Sequence, residues 1–169
     1  MAPPPFSEEV MALVNKSIAS LPPGARILVI HADTAGDKMW VTERYIEALD
    51  VFLTHNPDFI ALLIGKNAQP ITSRMHPERV ISCYGLSLMQ SCCFVSKADI
   101  FLGVDSCMLH VADFCRVPSV GLYGATQAKE FGFLVGPNIT IQAEKDMAEI
   151  ETHQVVTALG SILAGDVPR

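Results

Sequence analysis

A chain of 169 residues, half of them hydrophobic and 18% charged, makes one well-packed globular domain and excludes a disordered one. Its net charge of -6 argues against a nucleic-acid groove or an anionic membrane surface as main partner, while leaving room for a local basic pocket around a small phosphate. No apolar run approaches the roughly 20 residues that span a bilayer, and Met1–Phe6 has neither the charge nor the apolar core of a signal peptide.

Apolar strand-like runs alternate with helix-like periods, which predicts a doubly wound α/β domain, a Rossmann-like parallel sheet of about six strands. Residues 7–21 read as a helix capped by Ser7, with Val10, Leu13, Val14, Ile18 and Leu21 in one stripe, ended by Pro22-Pro23-Gly24. This helix and linker, residues 1–25, precede a domain spanning 26–165. Ile27–Ile30 is a buried strand. A polar loop, His31 to Trp40, leads to a helix from about Thr42 to Asn56, and Phe59–Ile64 is the next strand, ending at Gly65. Residues 66–78 read as a loop with a short helix, and Val80–Tyr84 as a strand. Ser87 and Gln90 have capping-box spacing and start a helix to about Lys97. Strand 99–104, helix 106–115 and strand 118–123 follow, with Pro118 at a first strand position where a missing N–H is tolerated. Residues 124–138, with Gly124, Gly132, Gly136 and Pro137, read as a long loop of the kind that closes over ligands. Ile139–Ile141 reads as a last short strand. Thr152–Leu163 is an amphipathic helix stopped by Gly165.

The five cysteines, Cys83, Cys92, Cys93, Cys107 and Cys115, are odd in number and irregularly spaced, so they read as reduced, mostly buried thiols of an intracellular protein. A metal site from Cys92, Cys93, Cys107 and His110 is disfavoured: there is no C-x-x-C pair, and adjacent cysteines on a helix point about 100° apart. No metal is expected.

Three strand-end loops, His31–Trp40, Gly65–Pro70 and Val104–His110, emerge on one edge of such a sheet and can converge on one crevice. The turn Asp105-Ser106-Cys107 opens a helix, whose first N–H groups lack partners and whose dipole favours an anion. Asp105 or Ser106 can equally serve as its cap, with His110 packed one turn along. Thr34 and Lys38, four residues apart, can hydrogen-bond and neutralise a pyrophosphate, although a lone loop lysine is more often merely solvated. Asn67 is a turn residue or a partner for a ribose hydroxyl. Asp33 and Asp37 flank Thr34 and would repel a phosphate. The G-x-G-x-x-G, P-loop and G-x-S-x-G signatures are absent.

Gly103-Val-Asp-Ser-Cys-Met-Leu-His-Val-Ala112 followed by Arg116-Val-Pro-Ser-Val-Gly-Leu-Tyr-Gly-Ala-Thr126 resembles the donor half of the family 9 glycosyltransferases, the bacterial heptosyltransferases of lipopolysaccharide core assembly. Three further pieces are similar to that family, in order along the chain: His31-Ala-Asp-Thr-Ala-Gly-Asp-Lys-Met-Trp40, the Gly85–Leu88 segment, and Ala148 to Val156. The resemblance runs from about Arg26 to Leu163. It implies one half of a two-domain GT-B architecture and a nucleoside-diphosphate sugar, ADP-linked for preference, as substrate, with no cofactor.

Carried over by position, Thr34 and Lys38 would hold the diphosphate from one side and the backbone N–H groups of Ser106, Cys107 and Met108 from the other. His110 would support the helix start or touch the phosphate, Asp105 would contact sugar hydroxyls, and Leu86 would line the base pocket. Lys38 and His110 would act electrostatically, with no general base identified. The sequence departs from the family at Cys107, where glycine is usual, at Asn67, near where an acidic ribose ligand is expected, and at Thr126-Gln-Ala128 in place of Thr-Asp-Pro. The resemblance also implies a missing amino-terminal acceptor domain or partner chain. It implies a cytoplasmic enzyme that meets the inner membrane through its acceptor. Alternatives are a degenerate, non-catalytic scaffold or interaction domain of the same fold, and another nucleotide-sugar enzyme such as an epimerase.

Overall fold

A computed structural model of the chain describes residues 5–124 and 135–166. Six strands form one fully parallel sheet: β1 (Arg26–His31), β2 (Phe59–Gly65), β3 (Val80–Tyr84), β4 (Ile100–Val104), β5 (Ser119–Tyr123) and β6 (Asn138–Gln142). Their order is β3-β2-β1-β4-β5-β6. Among the described residues, five helices cover the two faces: α1 (Glu8–Ala19), α2 (Thr42–His55), α3 (Leu88–Ser96), α4 (Cys107–Phe114) and α5 (Thr152–Leu163). Strand order reverses between β1 and β4, so the loops leaving those two strands diverge to opposite faces and open a crevice between them.

The period of two in the strands divides the core in two. Leu28, Ile30, Ala61, Leu63, Leu102 and Leu122 point to one face, where α2 and α5 supply Tyr45, Leu49, Phe52, Val155 and Leu159. Ile27, Val29, Ile60, Leu62 and Phe101 point to the other, where α1, α3 and α4 supply Val14, Phe94, Met108 and Leu109. Both faces are covered, which is why β1, β2, β4 and β5 read as unbroken apolar runs.

Each expected strand and helix inside the described residues is present, with ends shifted by a residue or two. The 66–78 loop runs into a short 3-10 turn at Pro77–Arg79. Leu13 departs from the expected α1 stripe: it is exposed, while Val14 is fully buried, because a narrow stripe suffices to seat α1 against α3. Within the 124–138 stretch, residues 125–134, including Thr126-Gln-Ala128 and Gly132, lie outside the described residues. Asp113 on α4 holds the returning chain, accepting from the N–H groups of Val135 and Gly136. Among the described residues, no helix is long and apolar enough to cross a membrane.

Candidate functional site

The carboxyl ends of β1, β2 and β4 lie level. His31 is in register with Ile64 on one side and Gly103 on the other. Beyond these ends lies an open cavity of about 290 Å³, lined by His31, Asp33, Gly65, Lys66, Leu86, Leu88, Ser91, Ser106, Cys107 and Met108. Larger hollows elsewhere are lined by loops at the opposite sheet edge and by the α2–α5 groove. The cavity at the strand ends is the one at the topological switch point, where open α/β sheets bind ligands.

The β1 loop is anchored at both ends. Its first half is tied down by Thr34, whose hydroxyl donates to the Asp105 carbonyl at 3.1 Å. Its second half turns through a 3-10 segment, Gly36–Lys38, and ends at Trp40. That indole is buried, donates from Nε1 to the Ile150 carbonyl at 2.9 Å, and stands edge-on to the Tyr45 ring at 4.8 Å. Between these anchors the Lys38 ammonium comes 3.0 Å from Asp105 Oδ2. Asp105 Oδ2 is buried and accepts no hydrogen bond of good geometry, so this ion pair is what balances its charge.

The loop after β2 is organised by Asp33. Its carboxylate accepts from the backbone N–H groups of Lys66 (3.1 Å) and Asn67 (2.9 Å) and from the Asn67 side-chain amide. Burial works against its ionisation, but these hydrogen bonds outweigh it and hold the carboxyl below its ordinary 3.8. Gly65 permits the approach. Its φ of +145° suits glycine, and a Cβ there would meet Asp33 Cβ at 3.0 Å.

At the start of α4, Ser106 is the N-cap residue by position, yet its side chain makes no cap bond. Its Oγ lies 3.2 Å from His31 Nδ1 instead. Of the two readings open from sequence, the cap is not made: neither Asp105 nor Ser106 fills that role, and among the described residues the N–H groups of Cys107 and Met108 have no side-chain acceptor. Burial pushes the His31 imidazole below its ordinary 6.5, partly opposed by the nearby Asp33 carboxylate. Farther back, burial, reinforced by Asp105 and Asp113, pushes the Tyr123 hydroxyl up to about 12, so it carries no charge here.

A pH effect follows from His31. Its folded pKa lies below its unfolded one. Below about 6.5 the unfolded chain therefore takes up a proton that the folded chain refuses, and stability falls until pH passes the folded value. The Asp33 contribution has the opposite origin, a depressed carboxylate, and is lost only at lower pH, below about 4. Thermal melts between pH 7.5 and 5 should show a falling midpoint in the native chain and a flatter profile in His31→Asn. Identical slopes would mean that His31 titrates normally.

Of the residues singled out from sequence, Leu86, Ser106, Cys107 and Met108 line the cavity. Lys38, Thr34 and Asp105 stand beside it as one linked group. Asn67 turns to Asp33 rather than to the cavity, and His110 is exposed on α4, outside the lining. Cys107 is exposed, against the expectation of mostly buried thiols, because the first residue of α4 faces the crevice; Cys92 and Cys93 are buried. His31, Asp33, Gly65, Lys66, Leu88 and Ser91 also line it, and the sequence does not mark them as site residues. Their only signal is position: His31 ends β1 and Asp33 follows in the loop next to the Asp105–Ser106 turn. Asp33 does not face the ligand space unpaired, as its sequence neighbourhood suggested, but folds onto the β2 loop. Among the described residues, no three His, Cys, Asp or Glu side chains are grouped to hold a metal.

The family model described as glycosyltransferase family 9 (heptosyltransferase) matches residues 14–159. The chain belongs to glycosyltransferase family 9. Solved structures share its fold. A family 9 glycosyl transferase from Veillonella parvula DSM 2008 superposes with a TM-score of 0.79 at 18% identity, over 95% of this chain and 53% of that one. The ADP-heptose lipopolysaccharide heptosyltransferase II of E. coli gives 0.73 at 16% identity, over 96% and 53%. The E. coli heptosyltransferase WaaC, solved with ADP, gives 0.69 at 18% identity, over 96% and 52%. This family 9 chain thus spans about half the length of the structures it resembles. No curated protein matches it significantly.

Proposed function

We propose that this family 9 chain binds the nucleoside-diphosphate sugar of a glycosyl transfer, ADP-linked for preference, and that a second half supplies the acceptor. The observation that carries the reading is the uncapped start of α4 beside Lys38 at the sheet's switch point. Backbone N–H groups at the crevice with an ammonium beside it suit a diphosphate. The same groups stabilise the charge that grows on the departing nucleoside diphosphate as the sugar bond breaks. Leu86 and Met108 give the cavity an apolar wall for the base or ribose. Lys38 would exchange Asp105 for phosphate, or bridge both.

Two carboxylates at the site are already engaged, Asp33 by the β2 loop and Asp105 by Lys38. We assign the base that takes the acceptor's proton to the second half. The ADP preference rests on the relatives described by ADP-heptose and solved with ADP.

Calorimetric titration with ADP, GDP and UDP tests the reading. Saturable binding of ADP in the micromolar range, stronger than of UDP, is expected. A clear preference for UDP would favour an epimerase-type relative. Binding of none of the three would overturn the donor reading and favour a scaffold domain, a role with which the exposed Cys107 and the Asp33-bound Asn67 are compatible.

A further inference from the structure

Three described helices start at a serine N-cap, and they do not behave alike. Ser7 accepts from Val10 N–H at 3.3 Å at the head of α1. Ser87 accepts from Gln90 N–H at 3.2 Å at the head of α3, completing a capping box. Ser106 heads α4 with φ −158° and ψ 170°, the extended backbone of a capping residue, but its hydroxyl does not cap. It lies against His31 Nδ1. His31 ends β1, is 8% exposed, and lines the same cavity as Ser106, Cys107 and Met108.

We infer that His31 is a positioning residue for diphosphate binding: by holding the Ser106 hydroxyl it keeps the first-turn N–H groups of α4 uncapped and open to an anion. The inference rests on the donor-site reading above. A capping hydroxyl and a phosphate oxygen compete for the same N–H groups, since both can only accept there. A helix meant for structure uses its cap; a helix meant to bind an anion has to leave it undone. The competing acceptor is restrained by a group on a separate strand, 75 residues away in sequence. In the neutral ring either tautomer serves: Nδ1 accepts the Ser106 O–H, or Nδ1–H donates to Oγ. Because the ring is held uncharged by its burial, its effect on the phosphate would run through Ser106 and not through its own charge.

The test is a double-mutant cycle with a ligand-free readout. His31→Leu, His31→Asn, Ser106→Ala and His31→Leu/Ser106→Ala are titrated with ADP, and amide hydrogen exchange is followed in the free proteins. His31→Leu should weaken ADP binding roughly three- to tenfold, the worth of one cap, and slow exchange at Met108 or Leu109 as Ser106 turns onto the helix. His31→Asn, which places an amide near the Nδ1 position, should recover most of the affinity. Ser106→Ala sets its own baseline, and adding His31→Leu to it should cause no further loss.

An equal loss from His31→Leu in both backgrounds would overturn the inference and make His31 a direct contact or a packing group. So would unchanged affinity in His31→Leu. Should the native chain bind no nucleotide, the donor reading falls, and exchange alone decides the rest. Slowing at Met108 or Leu109 in His31→Leu would sustain the withheld cap, and unchanged exchange at both would refute it.

Discussion

Lys38→Ala is expected to weaken ADP binding by about 10- to 100-fold, the loss of one charge-assisted contact worth about 1.5–3 kcal/mol. It should also lower stability. Asp105 is 8% exposed, and Lys38 is the cation beside its buried Oδ2. Without the ammonium that oxygen is left buried and unmatched, at a cost of about 1–3 kcal/mol. Asp105→Asn separates the two effects. It removes the buried charge, so the double variant Lys38→Ala/Asp105→Asn should regain stability over Lys38→Ala while still binding ADP poorly. Asp105→Asn alone frees the ammonium from its competitor and should bind ADP at least as tightly as the native chain. Calorimetry and denaturant melts on the four proteins read both quantities. Equal ADP affinity in the native chain and Lys38→Ala would remove Lys38 from the site.

The pairing of Lys38 with Asp105 shows where reading from sequence stopped. The architecture was legible because burial on both faces leaves continuous apolar runs at 27–30, 59–64 and 100–104, separated by periods that suit helices. The two loops at the switch point were legible for the same reason, since the order of elements places them on one edge. What those loops do to each other was not. That Thr34 donates to the Asp105 carbonyl, and that Ser106 leaves its own helix for His31, depends on strand register between β1 and β4. No local pattern encodes that register. A Ser two residues past a strand and one before a helix is a cap by every local criterion, and here a tertiary partner outcompetes the local bond. Asp33 is a similar case. A loop carboxylate beside a phosphate site looks repulsive until Gly65, across the strand pair, proves small enough to let it fold onto the Lys66 and Asn67 N–H groups. His110 is a simpler case: it is exposed on α4, outside the cavity lining, and helical spacing alone does not tell which way a position turns once the helix is packed.

Trp40→Ala should be the most damaging single change near the site, because it acts on the fold and the site through one side chain. The indole is buried and sits edge-on to Tyr45. Truncating a buried tryptophan costs about 3–5 kcal/mol, a large part of the roughly 5–15 kcal/mol that keeps a domain folded. Its Nε1 bond to Ile150 ties the end of the Lys38 loop to the chain entering α5, 110 residues away. Losing it should release the loop as well as open a cavity. Trp40→Phe keeps most of the packing and drops the one hydrogen bond, a change worth about 1 kcal/mol. The Ile150 carbonyl is not stranded in either case, since Arg44 also donates to it. The Phe variant should therefore fold and bind ADP within a few-fold of the native chain, while the Ala variant loses stability and affinity together. Denaturant melts of both variants, followed by ADP titration of whichever remains folded, measure this. A Trp40→Ala protein that melts like the native chain would show that the loop holds its shape without the indole. The placement of Lys38 would then rest on Thr34 and the Asp105 pair alone, and the Lys38→Ala/Asp105→Asn double variant, lacking that pair, should show its β1 loop loosened.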